Sequence, residues 1–221
     1  MAAETSTLSS RDEVLRRIRA AIDGSAGDAA TIRAEWDALQ RGYQRTASLG
    51  REEILELLED RLRDYDATVA RSTGEDVARS VAGMLTERGV KRMVVPEGLR
   101  PEWLPGGVEF VVDEGLAAAE LDGFDGVMTG ATLAIAETGT VVLQSVAGQG
   151  RRAVTLVPDY HLCLVRVDDV VETMPEAMER LQAMATLATT FVSGPSATAD
   201  IEMTRIKGVH GPRFLDVILI Q

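Results

Sequence analysis

Glu75–Pro96, EDVARSVAGMLTERGVKRMVVP, is the stretch that decides the fold class. Glu75 to Arg88 reads as a helix stopped by Gly89, and Lys91-Arg92-Met93-Val94-Val95 is a β-favouring run halted by Pro96. A helix feeding directly into a strand is the building unit of α/β proteins. Moving outward, further strands are expected at Val108–Val112, Gly126–Met128, Ala131–Ala136, Thr140–Gln144, His161–Val167 and Thr190–Ser193, with a helix near Pro175–Leu187. Upstream, Arg51–Arg63 sets Ile54, Leu55, Leu57, Leu58 and Leu62 in a wide apolar stripe, opposite Glu52, Glu53, Glu56 and Asp60. The expected architecture is α/β, a mixed sheet with flanking helices.

The amino-terminal part reads differently. Val14, Leu15, Ile18 and Ile22 recur at helical spacing, so Ser10–Ile22 is a helix that ends at Gly24. Gly24-Ser25-Ala26-Gly27-Asp28 is a flexible joint, and the residues from there to Gly50 are polar and weakly periodic. The expectation is an N-terminal helical arm over residues 1–50, less tightly packed and suited to docking on a partner. The main domain then spans 51–221.

The chain has 221 residues, 45% of them hydrophobic and only 4% aromatic, so the core should be aliphatic. A net charge of −12 without a basic stripe disfavours nucleic acid. No run approaches the roughly 18 apolar residues that span a bilayer, and the first residues lack a basic-then-apolar leader, which points to a cytoplasmic protein. The single Cys163 allows no internal disulfide and cannot supply the roughly four thiolates of an iron–sulfur cluster. In His161-Leu162-Cys163-Leu164-Val165 it reads as a buried thiol. Two histidines outside any ligand-spaced cluster leave no zinc site. No cofactor and no metal are expected.

Gly148-Gln149-Gly150-Arg151-Arg152-Ala153 fits a dinucleotide fingerprint, with Asp168 and Asp169 at about the ribose-binding distance. The context opposes it, because Val154-Thr155-Leu156-Val157-Pro158 cannot open a helix; a glycine loop is expected, with Arg151 or Arg152 facing an anion. Around Gly139, Ala131–Leu143 reads as two strands and a tight turn that carries Glu137. Gly194-Pro195-Ser196-Ala197-Thr198-Ala199-Asp200-Ile201-Glu202 follows a strand and is expected to open a helix. Its free N–H groups either face an acidic or carbonyl ligand or are merely capped by Ser196 or Thr198. A hydrolase triad of Ser196, Asp200 and His210 is crowded within fifteen positions and lacks the last glycine of a nucleophile elbow, so it is set aside. His210 is either a surface cap or a pocket donor. The Glu137–Gly139 turn and the Gly194–Glu202 loop are expected to share a pocket with Arg152 and His210 at its rim.

Ala136-Glu137-Thr138-Gly139-Thr140, then Arg152 with Leu156-Val157-Pro158, then Ser193–Glu202, and lastly Gly208-Val209-His210-Gly211-Pro212 together resemble the LUD domain of lactate utilization proteins. The resemblance covers roughly Arg51 to Gln221 and is specific as a combination. It implies a fold shared with ribose-5-phosphate isomerase, CoA transferases and 5-formyltetrahydrofolate cyclo-ligase, and a part in oxidising L-lactate to pyruvate. Without a cysteine-rich segment, the chain looks like a stand-alone, non-redox subunit whose partners carry the iron–sulfur clusters. The same resemblance leaves a second reading, a CoA-transferase-like or ligase-like enzyme in which Glu137, beside Thr138 and Gly139, attacks an acyl or carboxylate substrate. Glu137, Thr138, Gly139, Arg152, Gly194, Pro195, Ser196, Thr198, Asp200, Glu202 and His210 are therefore the candidate ligand-binding residues, a small carboxylate the candidate ligand, and self-association is left open.

Overall fold

The computed structural model describes residues 9–23, 28–198, 206–208 and 210–221. In chain order these form α1 (Ser10–Asp23), α2 (Ala29–Ala38), α3 (Arg51–Asp64), β1 (Thr68–Ser72), α4 (Val77–Glu87), β2 (Arg92–Val95), β3 (Glu109–Val112), α5 (Ala118–Leu121) and β4 (Gly126–Gly130). Then come β5 (Leu133–Ile135), β6 (Thr140–Gln144), β7 (Tyr160–Arg166), β8 (Val170–Val171), α6 (Met174–Gln182), β9 (Thr189–Val192), β10 (Ala197–Thr198), β11 (Ile206–Lys207) and β12 (Phe214–Ile220). The chain divides into two compact units, Met1–Tyr43 and Gln44–Gln221.

The first unit holds α1 and α2. Glu13 bridges Arg16 and Arg17 one turn along α1, and Asp28 caps α2 by accepting from the Thr31 backbone N–H. The α2 helix lies in the stretch expected to be polar and weakly periodic: Ile32, Trp36 and Leu39 recur at helical spacing among many polar residues. None of the described residues of this unit is buried. The expected arm ended at residue 50, whereas Gln44, Ser48 and Leu49 belong to the second unit through Glu172. The buried Glu172 carboxylate accepts from the backbone N–H groups of Ser48 and Leu49 at 2.6 and 2.9 Å, and from Gln44 Nε2 and Ser48 Oγ at 2.9 and 3.0 Å.

The second unit is α/β, but its strands divide between two principal sheets instead of one mixed sheet. Six parallel strands run in the order β1-β12-β7-β4-β2-β3. A four-stranded sheet, β8-β5-β6-β9, is mainly antiparallel, and β10 with β11 forms a small antiparallel pair. The period-2 alternation of strands explains how the two faces are covered. On β7, Cys163 and Val165 face one core with Leu215, Val217 and Leu219 of β12 and Ile54, Leu55, Leu58 and Leu62 of α3. Leu162 and Leu164, with Ile218 and Ile220, face the other core beneath Val77, Val81, Met84 and Leu85 of α4. The four-stranded sheet buries Leu133, Ile135 and Val142 against Ala177 and Leu181 of α6.

Two sequence expectations are corrected here. Sequence reading places no strand at Phe214–Ile220, yet this segment lies between β1 and β7 in the interior of the parallel sheet. Of the segment Gly194–Glu202, expected to open a helix, Ala197–Thr198 forms a short strand paired with Ile206–Lys207 in place of a helical turn, and residues 199–205 lie outside the described residues.

Candidate functional site

The amino-terminal ends of β7 and β12 meet the carboxyl end of β9, and the chain between them folds over this junction. Gly194 takes φ +83° and packs so tightly on Tyr65 that an added Cβ would lie 2.4 Å from the Tyr65 Cβ, so only glycine fits the turn out of β9. Ser196 then fastens the returning strand: its N–H donates to the Pro212 carbonyl, its carbonyl accepts from Gly208 N–H, and its Oγ accepts from the His210 N–H at 3.0 Å. These contacts border a half-open cavity of about 250 Å³ lined by Arg152, Thr155, His161, Thr190–Ser196, His210–Pro212 and Leu215.

At its floor His161 is buried, 2% exposed, with Nε2 2.8 Å from the Thr129 hydroxyl. Burial, and secondarily the positive charge of Arg152, push its pKa down to about 4, so the ring is neutral near pH 7. Its Nδ1 bonds to no described residue, although no fully buried side-chain nitrogen or oxygen among the described residues lacks a partner; the nitrogen therefore opens on the cavity that the ring lines. Arg152 commits only Nη1, at 3.1 Å to both the Thr155 carbonyl and its hydroxyl. Its Nε and Nη2 edge makes no ion pair with a described carboxylate. Burial raises the neighbouring Cys163 thiol to about 12, which keeps it protonated and poor as a nucleophile, in line with the expected buried thiol.

Of the residues singled out from sequence, the structure brings Arg152, Gly194, Pro195, Ser196 and His210 to this cavity. Glu137, Thr138 and Gly139 are not in its lining. The β5–β6 hairpin does form, with Leu133↔Val142 and Ile135↔Thr140 in register and Gly139 at φ +58°, and it leaves Glu137 exposed. A hydroxyl chain joins hairpin to cavity: Thr138 Oγ1 to Thr140 Oγ1 at 2.7 Å, and Thr140 Oγ1 to Ser193 Oγ at 2.7 Å. Thr198 lies in β10, and Asp200 and Glu202 lie outside the described residues. Sequence reading missed His161 and Thr129. The one available signal was a histidine opening an otherwise apolar strand.

The glycine loop at Gly148–Gly150 is a loop, with both glycines at positive φ and no helix after it. The anion that Arg151 faces is the chain's own Asp113, which it grips through Nε and Nη2 at 2.7 and 2.8 Å, along with the Leu116 carbonyl. A second hollow, about 600 Å³, lies beside this pair at the carboxyl ends of β2 and β3, but its only guanidinium is thus occupied. Among the described residues no group of three or more His, Cys, Asp or Glu could hold a metal ion, and no helix is long and apolar enough to cross a membrane.

Comparison with known proteins places these features in a family. The LUD domain matches residues 1–220. A Deinococcus radiodurans protein named "Lactate utilization protein C" is 40% identical over 218 residues, covering 97% of each chain. A Bacillus pumilus protein of the same name is 28% identical, covering 93% of this chain and 94% of that one. The crystal structure of a DUF162 family protein from D. radiodurans superposes with a TM-score of 0.70 at 39% identity, over 78% of this chain and 99% of that one. The match at full length, with the same kind of fold, shows that this chain belongs to the LUD domain family.

Proposed function

We propose that this chain is a non-redox subunit of a bacterial L-lactate utilization system, supporting oxidation of L-lactate to pyruvate in the cytoplasm beside partners that carry iron–sulfur clusters. The observation that carries the reading is the 40% identity, at 97% coverage of both chains, to a protein named for lactate utilization. A single buried cysteine supports the assignment of redox centres to other chains. The parallel sheet flanked by helices is compatible with kinship to ribose-5-phosphate isomerase and the CoA transferases, which is part of the same proposal; fold alone assigns no reaction.

The competing enzyme reading needs Glu137 as a nucleophile on an acyl or carboxylate substrate. Its carboxylate is exposed, outside the cavity, with no ion pair to a described residue, so the subunit reading is preferred. Deleting the gene is expected to abolish growth on L-lactate as sole carbon source, with rescue by the intact gene, and capture from native lysate is expected to retrieve iron-containing partners. Normal growth of the deletion strain, or acyl-transfer activity of the isolated chain that is lost in Glu137→Gln, would replace this reading.

A further inference from the structure

We infer that the cavity between β7, β9 and β12 binds a small organic carboxylate with an oxygen on the adjacent carbon, a 2-hydroxy or 2-oxo acid, held by Arg152 and oriented by His161. That it takes a carboxylate rests on geometry alone; the choice of acid class rests on the lactate reading above.

Arg152 supplies the carboxylate grip. This chain is acidic, and its arginines are mostly bound to carboxylates: Arg71 to Glu52 and Glu59, Arg88 to Asp216, Arg151 to Asp113, Arg213 to Asp159. Arg152 lines a cavity and has no carboxylate partner among the described residues. Because Thr155 takes only Nη1, the parallel N–H pair of Nε and Nη2 remains, and that is the edge of a guanidinium that grips a carboxylate through two hydrogen bonds. The Thr155 contacts fix the plane of the group before a ligand arrives, which lowers the ordering cost of binding.

His161 adds a buried polar ring with one nitrogen satisfied and the other open to the same cavity. A neutral imidazole offers a donor at one nitrogen and an acceptor at the other. When Thr129 donates to Nε2, Nδ1–H can donate to a keto oxygen; when Nε2–H donates to Thr129, Nδ1 can accept from a hydroxyl. The pair thus suits an acid at either oxidation level without a change of charge. Val192, Pro195, Pro212 and Leu215 supply apolar wall for a short carbon chain, and about 250 Å³ bounds its size.

The test uses the purified full-length chain, titrated calorimetrically with L-lactate and pyruvate as probes, and with propionate and inorganic phosphate as controls. Saturable binding with a dissociation constant of about 0.1–1 mM is expected for the two acids, with propionate at least about tenfold weaker for want of the second oxygen. Arg152→Lys keeps the charge but loses the two-pronged grip, and is expected to weaken both acids about tenfold or more with an unchanged melting temperature. His161→Gln is expected to remove the preference over propionate while leaving carboxylate binding. No saturable binding up to about 10 mM, or affinity unaltered in Arg152→Lys, overturns the site. Equal binding of propionate by the wild-type chain overturns the acid class. Lost growth of the deletion strain with no binding refutes the site and keeps the functional proposal; binding with normal growth does the reverse.

Discussion

At the scale of single residues, two buried side chains both weaken the fold as pH falls, His161 because it is held neutral and Glu172 because it is held charged. His161 is depressed to about 4 in the native chain against an ordinary 6.5, so below the ordinary value the unfolded chain takes up a proton that the native chain refuses. Its neutral burial costs nothing above pH 6.5 and weighs progressively against folding as pH falls from about 6.5 towards 4. A His161→Phe variant, which also lacks the titration, is expected to lose part of that slope. Urea midpoints measured between pH 7 and pH 4.5 check this, and parallel profiles for the two chains would refute it. Glu172 is held below the usual carboxylate range by the Leu49 N–H first, then by Ser48 and Gln44. In Glu172→Gln one amide N–H₂ would face donors already pointing at it, so this nearly isosteric change is expected to release the 44–50 segment as fully as Glu172→Ala. Faster amide exchange at Ser48 and Leu49 in both variants is the readout. Neither role is legible in sequence, since both depend on what folds over the side chain.

At the scale of elements, β12 shows how an interior strand can go unread. Fully buried strands carry apolar residues on both faces, so FLDVILI lacks the alternation that marks a half-buried strand, and its Asp216 looks like an interruption. The structure resolves Asp216 as a fastening point. Only 3% exposed, it accepts from the Tyr160 hydroxyl at 2.9 Å and from Arg88 Nε at 2.7 Å and Nη2, tying the end of α4 to β7 and β12. Burial and the Asp216 charge together raise the Tyr160 pKa, which keeps that hydroxyl a donor. Arg88→Met strands a buried carboxylate and is expected to cost about 3–5 kcal/mol. Adding Asp216→Asn removes the charge yet still accepts from Tyr160, so the double variant is expected to be more stable than Arg88→Met alone. Chemical denaturation of the wild-type chain, Arg88→Met, Asp216→Asn and the double variant tests this coupling, and strictly additive losses would refute it.

At the scale of the whole molecule, the cores that hold the sheets draw their buried residues from Ile54 to Ile220, and none from the described residues of Met1–Tyr43. A chain starting at Gln44 is therefore expected to fold cooperatively, with a melting temperature within a few degrees of the full chain. Loss of its cooperative transition would show that the first unit contributes to stability. In α1 and α2, Val14, Ile18, Ile22, Ile32 and Trp36 are exposed, and isolated helices of this length gain little from propensity alone.

By itself, the sequence determined the α/β class, the helices α1, α3, α4 and α6, the β5–β6 hairpin with Gly139 at its turn, and the buried thiol. These follow from local rules: helical spacing, β-branched runs, glycine at positive φ. The family resemblance was legible too, because its motifs are contiguous in sequence. Only the tertiary structure decided that the strands split into two sheets, that β12 lies between β1 and β7, that Arg151 is bound to Asp113, and that His161 and Arg152 face one cavity from which Glu137 is absent. Each of these depends on partners distant in the chain, and pairing across such distances is selected by the free energy of burial and hydrogen bonding in the assembled core, which no short window of sequence contains.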